Sequence, residues 1–466
     1  MSYLPDVGYI NHTIAAISTP RGEAAICVVR ISGDLSLNIA REIFKRKDSK
    51  KTEDIVPRMV YLGTVFDPHS GQDIDETQTV FFRKPKTYTG EDMLEIYGHG
   101  GIYVSERILD AALKAGARHA ERGEFTLRAF LNGKINLTQA ESVLDIIKAK
   151  NDEFLKISLK NLNSELYHKI ILIKNKLIGI LAEIEVEIEY PDENILTLSE
   201  GNVKKTAQEI HQELNSILST YTAGKFIREG IKVALLGPPN VGKSSIMNKL
   251  LDKERVIVTP IPGTTRDLVG DWITVGGMNV LLMDTAGLAD DSKDIIEIEG
   301  IKRTKEFAEQ ADLIFFVLDG TLPFTNKIKT TIEIIGNKEN MKFIINKNDL
   351  PCKINRSEIE KTYGFTSIYT SAITGEGIDN LKKIINNEVK RRFDFVNDTV
   401  ITNYRHKECI EKALGELSEV LNSEKIPIDI ISISLHQAAQ YLSNILGENI
   451  SDSILQEIFT NFCVGK

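Results

Sequence analysis

The residues with the clearest chemical meaning form a short run from Gly237 to Ser244. The run has the spacing G-x-x-x-x-G-K-S and directly follows the apolar segment IKVALL, which predicts a β-strand. Glycines let backbone N–H groups close around phosphate, Lys243 can neutralise phosphate oxygens, and the Ser244 hydroxyl is a ligand for Mg²⁺. We therefore expect a nucleoside triphosphate to contact Asn240, Val241, Gly242, Lys243, Ser244 and Ser245.

Two further segments have the composition of phosphate-sensing switch loops. Asp284-Thr285-Ala286-Gly287 ends a second apolar strand, so that Asp284 can hold Mg²⁺ through water and the Gly287 amide can meet the γ-phosphate. Thr265 can give Mg²⁺ a second hydroxyl beside Ser244. The first switch is expected to comprise Thr259, Pro260, Ile261, Pro262, Gly263, Thr264 and Thr265.

The base is predicted to be guanine. Asn346-Lys347-Asn348-Asp349 follows the strand MKFII, and the Asp349 carboxylate can accept hydrogen bonds from guanine N1 and N2, which adenine does not offer as donors. Ser371-Ala372 follows the short strand SIYT and suits a backbone contact to guanine O6. Together the segments predict GTP as the substrate.

The hydrolytic step needs unusual groups, because Leu288 occupies the place where many GTPases carry a water-orienting glutamine. A monovalent cation, K⁺, can neutralise the transition-state charge in place of an arginine finger. Asn240 is its predicted ligand, although this residue could instead only brace the loop. The predicted K⁺ ligands are Asn240, Thr259, Ile261 and Thr264, and the predicted catalytic residues are Lys243, Thr265 and Glu297, with Glu299 as the alternative water-orienting residue.

The elements around these residues change character along the 466-residue chain, which is too long for one core. The first stretch predicts strand, turn, strand over 12–32, further strands at 59–66 and 78–83, and a helix at 101–115, as in an α+β domain. Long helices follow over 136–222, alternating strands and helices over 231–388, and helices again over 389–466. The simplest arrangement is an all-helical domain interrupted by an inserted doubly wound α/β domain.

Composition excludes several classes of protein. The net charge of −9 argues against a protein that coats nucleic acid through bulk electrostatics, so RNA contact would have to be local. Four scattered cysteines form no C-x-x-C pair for zinc or redox chemistry. No apolar run reaches the length of a membrane span, and the start of the chain lacks a secretory signal pattern, so we expect a cytoplasmic protein.

The whole chain resembles the MnmE (TrmE) family of tRNA-modification GTPases. The most specific resemblances lie outside the nucleotide motifs: Arg30-Ile31-Ser32-Gly33, Tyr88-Thr89-Gly90-Glu91-Asp92, Gly98-His99-Gly100-Gly101, the run Gly123 to Lys134, and the terminal Cys463-Val464-Gly465-Lys466. The resemblance implies an N-terminal folate-binding and dimerisation domain (1–122), a helical domain in two parts (123–222 and 389–466) and a Ras-like P-loop GTPase domain (223–388).

The resemblance also implies a ligand and partners. A tetrahydrofolate would contact Arg30, Glu95, Lys134 and Lys466, each of which would otherwise be read as a surface ion-pair residue. The family forms homodimers and works with a flavin-containing MnmG (GidA) partner, in a heterotetramer or larger complex. Together they use methylene-tetrahydrofolate to add an aminomethyl or carboxymethylaminomethyl group to C5 of the tRNA wobble uridine. GTP hydrolysis acts as a conformational gate.

Some features leave alternatives open. Pro260 and Pro262 stiffen the predicted cation loop, though their carbonyls survive as ligands. Cys463 could be a thiolate nucleophile or an apolar residue packed beside Phe462. A ribosome-assembly GTPase of the Era or EngA type shares the nucleotide motifs, but it would need an appended RNA-binding domain or a second GTPase block. A folate-binding scaffold with a vestigial GTPase conflicts with the intact motifs.

Overall fold

The structure is a computed structural model, and it describes residues 12–48, 55–189, 200–251, 270–284, 305–336, 340–354, 356–364, 367–393, 399–422 and 427–466. The chain divides into two compact units. The first comprises Met1–Ile147, Ser158–Ile210 and Lys412–Lys466, and the second comprises Lys148–Ile157 and His211–Glu411. Whether the N-terminal and helical segments of the first unit are separate domains stays a prediction.

A seven-stranded mixed sheet dominates the N-terminal part of the first unit. Its strands are β1 (Ile14–Ile17), β2 (Ile26–Ser32), β3 (Phe44–Arg46), β4 (Val60–Phe66), β5 (Asp73–Phe82), β6 (Met93–His99) and β7 (Arg118–His119). Their order is β3-β4-β5-β6-β2-β1-β7, antiparallel except for the β1–β7 pair. The predicted strand, turn, strand over 12–32 is confirmed by the antiparallel pair β1–β2.

Alternation along β2 and β6 separates the two faces of this sheet. Val29 and Ile31 of β2 and Leu94 and Ile96 of β6 are buried in one hydrophobic core. The intervening residues point the other way, and the register places Arg30 opposite Glu95. The sheet therefore aligns two of the predicted folate ligands on the face opposite its core.

Helices complete the first unit. They are α1 (Ser36–Ile43), α2 (Ile102–Lys114), α3 (Glu124–Leu131), α4 (Leu137–Lys148), α5 (Asp152–Leu162), α6 (Glu165–Glu189), α7 (Glu200–Ser219), α13 (Tyr404–Asn422), α14 (Ile428–Leu446) and α15 (Asp452–Thr460), four of which include residues of the second unit. Helix α6 packs against α14, and Lys174 and Glu448 form an ion pair in this unit. The helical stretches predicted over 136–222 and 389–466 are confirmed in those parts of them that the structure describes.

The second unit contains a six-stranded sheet with helices. Its strands are β8 (Ile231–Leu236), β9 (Gly270–Val275), β10 (Met278–Asp284), β11 (Leu313–Asp319), β12 (Met341–Asn346) and β13 (Ser367–Tyr369), in the order β13-β12-β11-β8-β10-β9. Its own helices are α8 (Tyr221–Glu229), α9 (Lys243–Leu251), α10 (Asn326–Ile335), α11 (Arg356–Tyr363) and α12 (Ile378–Phe393), and residues 305–310 are also helical.

The parallel strands of this sheet consist mainly of apolar residues, as expected for strands covered on both faces. All seven residues of β11 are buried, and only edge strand β9 pairs antiparallel with its neighbour. Alternate residues enter two hydrophobic clusters, one on each side of the sheet. The predicted doubly wound α/β domain is confirmed. None of the helices in the described parts of the chain is long and apolar enough to cross a lipid bilayer.

Candidate functional site

The loop between β8 and α9 has the backbone shape that its two glycines require. Gly237 has φ +139°, and a side-chain carbon there would lie 2.3 Å from the Val317 carbonyl oxygen. Gly242 has φ +97°, and a side-chain carbon there would lie 2.3 Å from Asn346 Nδ2. Neither position has room for a larger residue, so the sequence spacing is a steric requirement of this fold.

Lys243 begins α9 and is folded back over the loop. Its Nζ donates to the carbonyl oxygens of Gly237 at 3.0 Å and Pro238 at 2.8 Å. Burial lowers the pKa of the Lys243 ammonium, and the nearby Asp284 carboxylate opposes that shift. The Lys243 ammonium and the N-terminal backbone amides of α9 therefore lie at the same loop. A positive charge together with free N–H donors suits the binding of phosphate.

A hydroxyl and a carboxylate meet beside this loop. Ser244 Oγ donates to Asp284 Oδ2 at 2.7 Å, and Asp284 is largely buried at the end of β10. Hard oxygen atoms from a hydroxyl and a carboxylate are the protein groups that accompany Mg²⁺ in phosphate sites. These two residues, predicted from motifs 40 positions apart, are brought together.

Asn346 joins the phosphate loop to the loops expected to hold the base. Its Nδ2 donates to the Val241 carbonyl at 2.8 Å, and its Oδ1 accepts from the Ala372 backbone N–H at 3.2 Å and Thr370 Oγ1 at 3.3 Å. The side chain is 2% exposed. It therefore ties three segments of the predicted site into one structure.

The segment after Asn346 and the segment around Ser371 also lie together. Ser371 Oγ donates to Asp349 Oδ1 at 2.5 Å, and the Asn348 backbone N–H donates to the Thr370 carbonyl at 3.0 Å. Asp349 Oδ1 is thus fixed by a neighbouring hydroxyl. Asn346 ends β12, and the other predicted base residues occupy the adjoining loops after β12 and β13: Lys347, Asn348, Asp349, Ser371 and Ala372.

Asp319, which the sequence reasoning missed, lies at the end of β11 beside this region. Its Oδ2 accepts from Lys347 Nζ at 2.5 Å, while Oδ1 accepts from Thr321 Oγ1 at 2.7 Å and the Thr321 backbone N–H at 2.9 Å. Burial would raise the pKa of Asp319, but the hydrogen bonds from Lys347 and Thr321 lower it below its ordinary value. The only available signal was its place at the carboxyl end of a buried parallel strand.

Part of the predicted site lies outside the described residues. This holds for the switch residues Thr259, Pro260, Ile261, Pro262, Gly263, Thr264 and Thr265, for Thr285, Ala286 and Gly287, and for Glu297 and Glu299. Asn240 is described: it has φ +62° and is exposed, and no hydrogen bond from its side chain is found among the described residues.

A second cluster of predicted site residues lies in the first unit. Arg30 Nε donates to Glu95 Oε1 at 2.9 Å, across the β2–β6 pair. The Arg30 guanidinium also lies 5.8 Å from the ring centres of both Tyr88 and Phe125, within range of cation–π attraction. The side chains of Arg30 and Glu95 are 19% and 13% exposed, so the pair is mostly buried but still accessible to a ligand.

The C-terminal tail reaches this cluster. Val464 pairs with Arg122 in an antiparallel bridge, and the Gly465 carbonyl accepts from Ser18 Oγ at 3.1 Å and from Arg30 Nη1 at 3.5 Å. Burial lowers the pKa of Lys466, and the positive charge of Arg30 lowers it further. Arg30, Glu95 and Lys466 are therefore neighbours despite their separation in sequence.

Lys134, the fourth predicted folate ligand, contacts a different part of the chain from Arg30, Glu95 and Lys466. Its Nζ donates to the Pro85 carbonyl at 3.0 Å, and its stem lies beside Gly90. Lys134 thus packs on the segment that carries Tyr88, and its role toward a folate stays a prediction.

A buried ionic network supports the N-terminal cluster and joins several of the family-like motifs. Glu124 accepts hydrogen bonds from Arg118 at 2.5 Å and from Arg128 at 2.9 Å, and Arg128 also donates to Glu91 at 3.0 Å. Glu91 in turn accepts from Ser32 Oγ at 2.7 Å. The motifs around Ser32, Glu91 and Glu124 therefore belong to one structural network.

The nucleotide-binding unit defines the class of protein. Its sheet is mainly parallel, and the loop from Gly237 to Gly242 joins β8 to the helix that begins at Lys243. A buried aspartate ends β10, and an N-K-x-D segment starts at the end of β12. These features together define a P-loop GTPase. The chain belongs to the MnmE family of tRNA modification GTPases. The family model for the MnmE helical domain matches residues 137–463, and the model for the N-terminus of the GTP-binding protein TrmE matches residues 13–134.

Full-length relatives agree with these models. The tRNA modification GTPase MnmE of Thermotoga maritima is 40% identical over 97% of this chain and 100% of that protein. The MnmE of Carboxydothermus hydrogenoformans is 40% identical over 98% of this chain and 100% of its own length. Among solved structures, the G domain of the T. maritima FeoB iron transporter is 29% identical over 34% of this chain and 98% of that chain, with a TM-score of 0.25. The chain is a GTP hydrolase that takes part in tRNA modification.

Proposed function

We propose that the chain is a K⁺-activated GTPase that acts with a flavin-containing MnmG-type partner to modify C5 of the tRNA wobble uridine. The added aminomethyl or carboxymethylaminomethyl group takes its one-carbon unit from methylene-tetrahydrofolate. GTP hydrolysis gates this reaction through a change of conformation. The flavin belongs to the partner, because this chain has no G-x-G-x-x-G run after a strand.

The observation that carries the folate part of the proposal is the meeting of Arg30, Glu95 and the C-terminal tail. Arg30 pairs with the Glu95 carboxylate, and Lys466 places a second positive charge near Arg30, so the cluster retains donors for an acceptor-rich or anionic group. Glu95 can accept N–H donors of a pterin through lone pairs that its protein contacts leave open. A tetrahydrofolate offers both kinds of group, which supports its assignment to this cluster.

The residues that would hold the ions are partly described. Ser244 Oγ lies 2.7 Å from Asp284 Oδ2, and these two oxygens fit Mg²⁺. Thr265 is the predicted second hydroxyl ligand. Asn240 fits K⁺ because its exposed side-chain carbonyl is a hard, neutral oxygen beside the phosphate loop. The carbonyls of Thr259, Ile261 and Thr264 would complete its shell, and Glu297 would orient the attacking water.

The proposed assembly is a homodimer that joins the MnmG-type partner and tRNA in the cytoplasm. Val60, Leu62 and Ile26 are exposed apolar residues on the same sheet face as Arg30 and Glu95, as the strand register requires. Such an apolar face supports contact with a second copy of the chain close to the folate cluster.

The experiment that tests the catalytic part is GTP turnover in K⁺ and in Na⁺ at matched ionic strength, for the wild type and Asn240→Ala. An arginine finger is worth roughly 10³–10⁵ in kcat, so a cation in that role should stimulate kcat at least on the order of tenfold. We expect K⁺ stimulation in the wild type and its loss in Asn240→Ala, with nucleotide affinity largely kept.

A matched control is Asn380→Ala, which changes an exposed asparagine of α12 outside the predicted nucleotide contacts. This variant should keep the ratio of K⁺ to Na⁺ rates. Equal wild-type rates in both salts would contradict K⁺ activation. Light scattering on the same samples gives the mass in solution, and a monomer at all concentrations would contradict the homodimer.

A further inference from the structure

Tyr97, which no motif identified, lies next to the folate cluster. It stands two residues after Glu95 on β6, so both side chains project from the same face of the sheet. Tyr97 Oη donates to Glu95 Oε2 at 2.5 Å, while Arg30 Nε donates to Glu95 Oε1 at 2.9 Å. Each oxygen of the carboxylate is therefore held by a different residue.

We propose that Tyr97 is a positioning residue that fixes the orientation of the Glu95 carboxylate for binding a reduced pterin. The inference rests on the proposed folate function of the cluster. The terminal torsion of a glutamate is broad and two-fold, so one hydrogen bond from Arg30 does not by itself fix the plane of the carboxylate. The second bond, from Tyr97, removes that freedom before the ligand arrives.

The chemistry of Tyr97 suits a permanent donor. Burial, together with the hydrogen bond to Glu95, raises the pKa of Tyr97 to about 12, although the charge of Arg30 opposes the shift. The phenol therefore remains protonated across the working pH range. Each Glu95 oxygen has two lone-pair sites and uses one of them for the protein, so the other can accept an N–H of the ligand.

The test is the Kd of tetrahydrofolate, measured by anaerobic calorimetry on the full chain. Immobilising a rotamer-rich side chain on binding costs up to about tenfold in an equilibrium constant. Because Tyr97→Phe leaves that cost to the ligand, it should raise Kd by about tenfold. Tyr103→Phe is the matched control, because Tyr103 is 74% exposed on α2. It should bind tetrahydrofolate like the wild type and keep the wild-type rate of GTP turnover.

A double-mutant cycle separates positioning from a general structural effect. A bond to a neutral acceptor is roughly half as strong as one to a carboxylate, so Tyr97→Phe should cost only about threefold when it is introduced into Glu95→Gln. An equal factor in both backgrounds would show that Tyr97 does not act through Glu95 and would overturn the inference. Wild-type affinity in Tyr97→Phe would overturn it as well.

The same titration distinguishes this inference from the proposed function. If the wild type binds no tetrahydrofolate, the folate assignment itself fails and the role of Tyr97 toward it fails too. If the wild type binds tetrahydrofolate and Tyr97→Phe has the same Kd as Tyr103→Phe, only the positioning role of Tyr97 is wrong.

Discussion

At the scale of single residues, the nucleotide site depends on side chains that hold its loops as well as on those predicted to contact the nucleotide. Asn346 links the phosphate loop to Ala372, and Asp319 holds Lys347, whose backbone has the unfavourable φ of +64°. These contacts determine where the base loop lies. Asp319 and Asp349 should therefore respond differently to the same chemical change.

Replacement of each aspartate by asparagine tests this difference. Asp349→Asn should shift preference from GTP toward xanthosine triphosphate, because an amide can donate to the xanthine oxygen where the carboxylate accepted from guanine. Asp319→Asn should weaken both nucleotides by the same factor, about tenfold, because it loosens Lys347 without changing the base contacts. The measurement is competition of the two nucleotides for each variant.

Asp379→Asn, in the first turn of α12, is a suitable control and should bind like the wild type. If Asp319→Asn changed the ratio of the two affinities, Asp319 would take part in base recognition directly. If Asp349→Asn left the ratio unchanged, the guanine assignment of that loop would be wrong.

The sequence predicted those residues whose type is imposed by the ligand or the backbone. Gly237, Gly242 and Lys243 could be found because their spacing has one main physical use. Asp319 and Tyr97 could not, because an aspartate after an apolar strand or a tyrosine within one is common, and only the tertiary register shows what each contacts. Local patterns do not contain that register.

At the scale of elements, the buried network around α3 explains why its motif contains both signs of charge. Glu124 and Arg128 are each 2% exposed on one helix, and Arg118 reaches them from β7. Unpaired charges would be costly at such burial, so each ion requires the others. The sequence predicted the α+β character of this region from hydrophobic alternation, but the pairing of these charges depends on how α3 packs on the sheet.

Removal of the charge on Glu124 should destabilise the first unit. Breaking a buried pair by changing one partner costs about 3–5 kcal/mol, so Glu124→Gln should lower the free energy of opening of β2 and α3 by about 3 kcal/mol. Amide hydrogen exchange of these elements is the measurement. Trp272, the single tryptophan, lies in the second unit, and its fluorescence reports the unfolding of that unit. The thermal transition followed by this fluorescence should be the same as in the wild type.

The network also predicts a dependence on pH. Burial would raise the pKa of Glu124, but Arg118, the Glu121 backbone N–H and the charge of Arg128 together lower it below the ordinary 4.5. The stability it contributes is therefore present above pH 4.5 and is lost as the pH falls below that value. Glu124→Gln should flatten this loss, whereas the exposed Glu121→Gln should leave it unchanged; identical profiles for all three proteins would contradict the prediction.

At the scale of the whole molecule, the two candidate sites lie in different compact units. The nucleotide residues from Asn240 to Ala372 are in the second unit, and Arg30, Glu95 and Lys466 are in the first. The sequence predicted an inserted GTPase domain correctly. It did not predict that Val464 forms a bridge with Arg122 or that the Gly465 carbonyl contacts Arg30, because contacts over more than 300 positions leave no local pattern.

This arrangement predicts that folate binding and basal GTP turnover can be separated at the C-terminus. Deletion of Cys463–Lys466 removes the Lys466 ammonium and the Gly465 carbonyl that Arg30 contacts, so it should weaken tetrahydrofolate binding by at least about tenfold. Basal GTP hydrolysis should stay within twofold of the wild type. Calorimetry with tetrahydrofolate and steady-state phosphate release give the two measurements on the same preparation.

The charge of Lys466 adds a pH readout that separates a ligand contact from simple packing. Burial and Arg30 lower the pKa of Lys466 below the ordinary 10.5, so its positive charge is lost earlier than that of an exposed lysine as the pH rises. Wild-type affinity for tetrahydrofolate should therefore fall on the alkaline side before pH 10.5. Lys466→Arg should remove this fall, because a guanidinium keeps its charge there.

Lys466→Met keeps much of the side-chain volume and should bind weakly at every pH. If Lys466→Met instead bound like the wild type, the tail would have a packing role only, and Lys466 would not be a folate ligand.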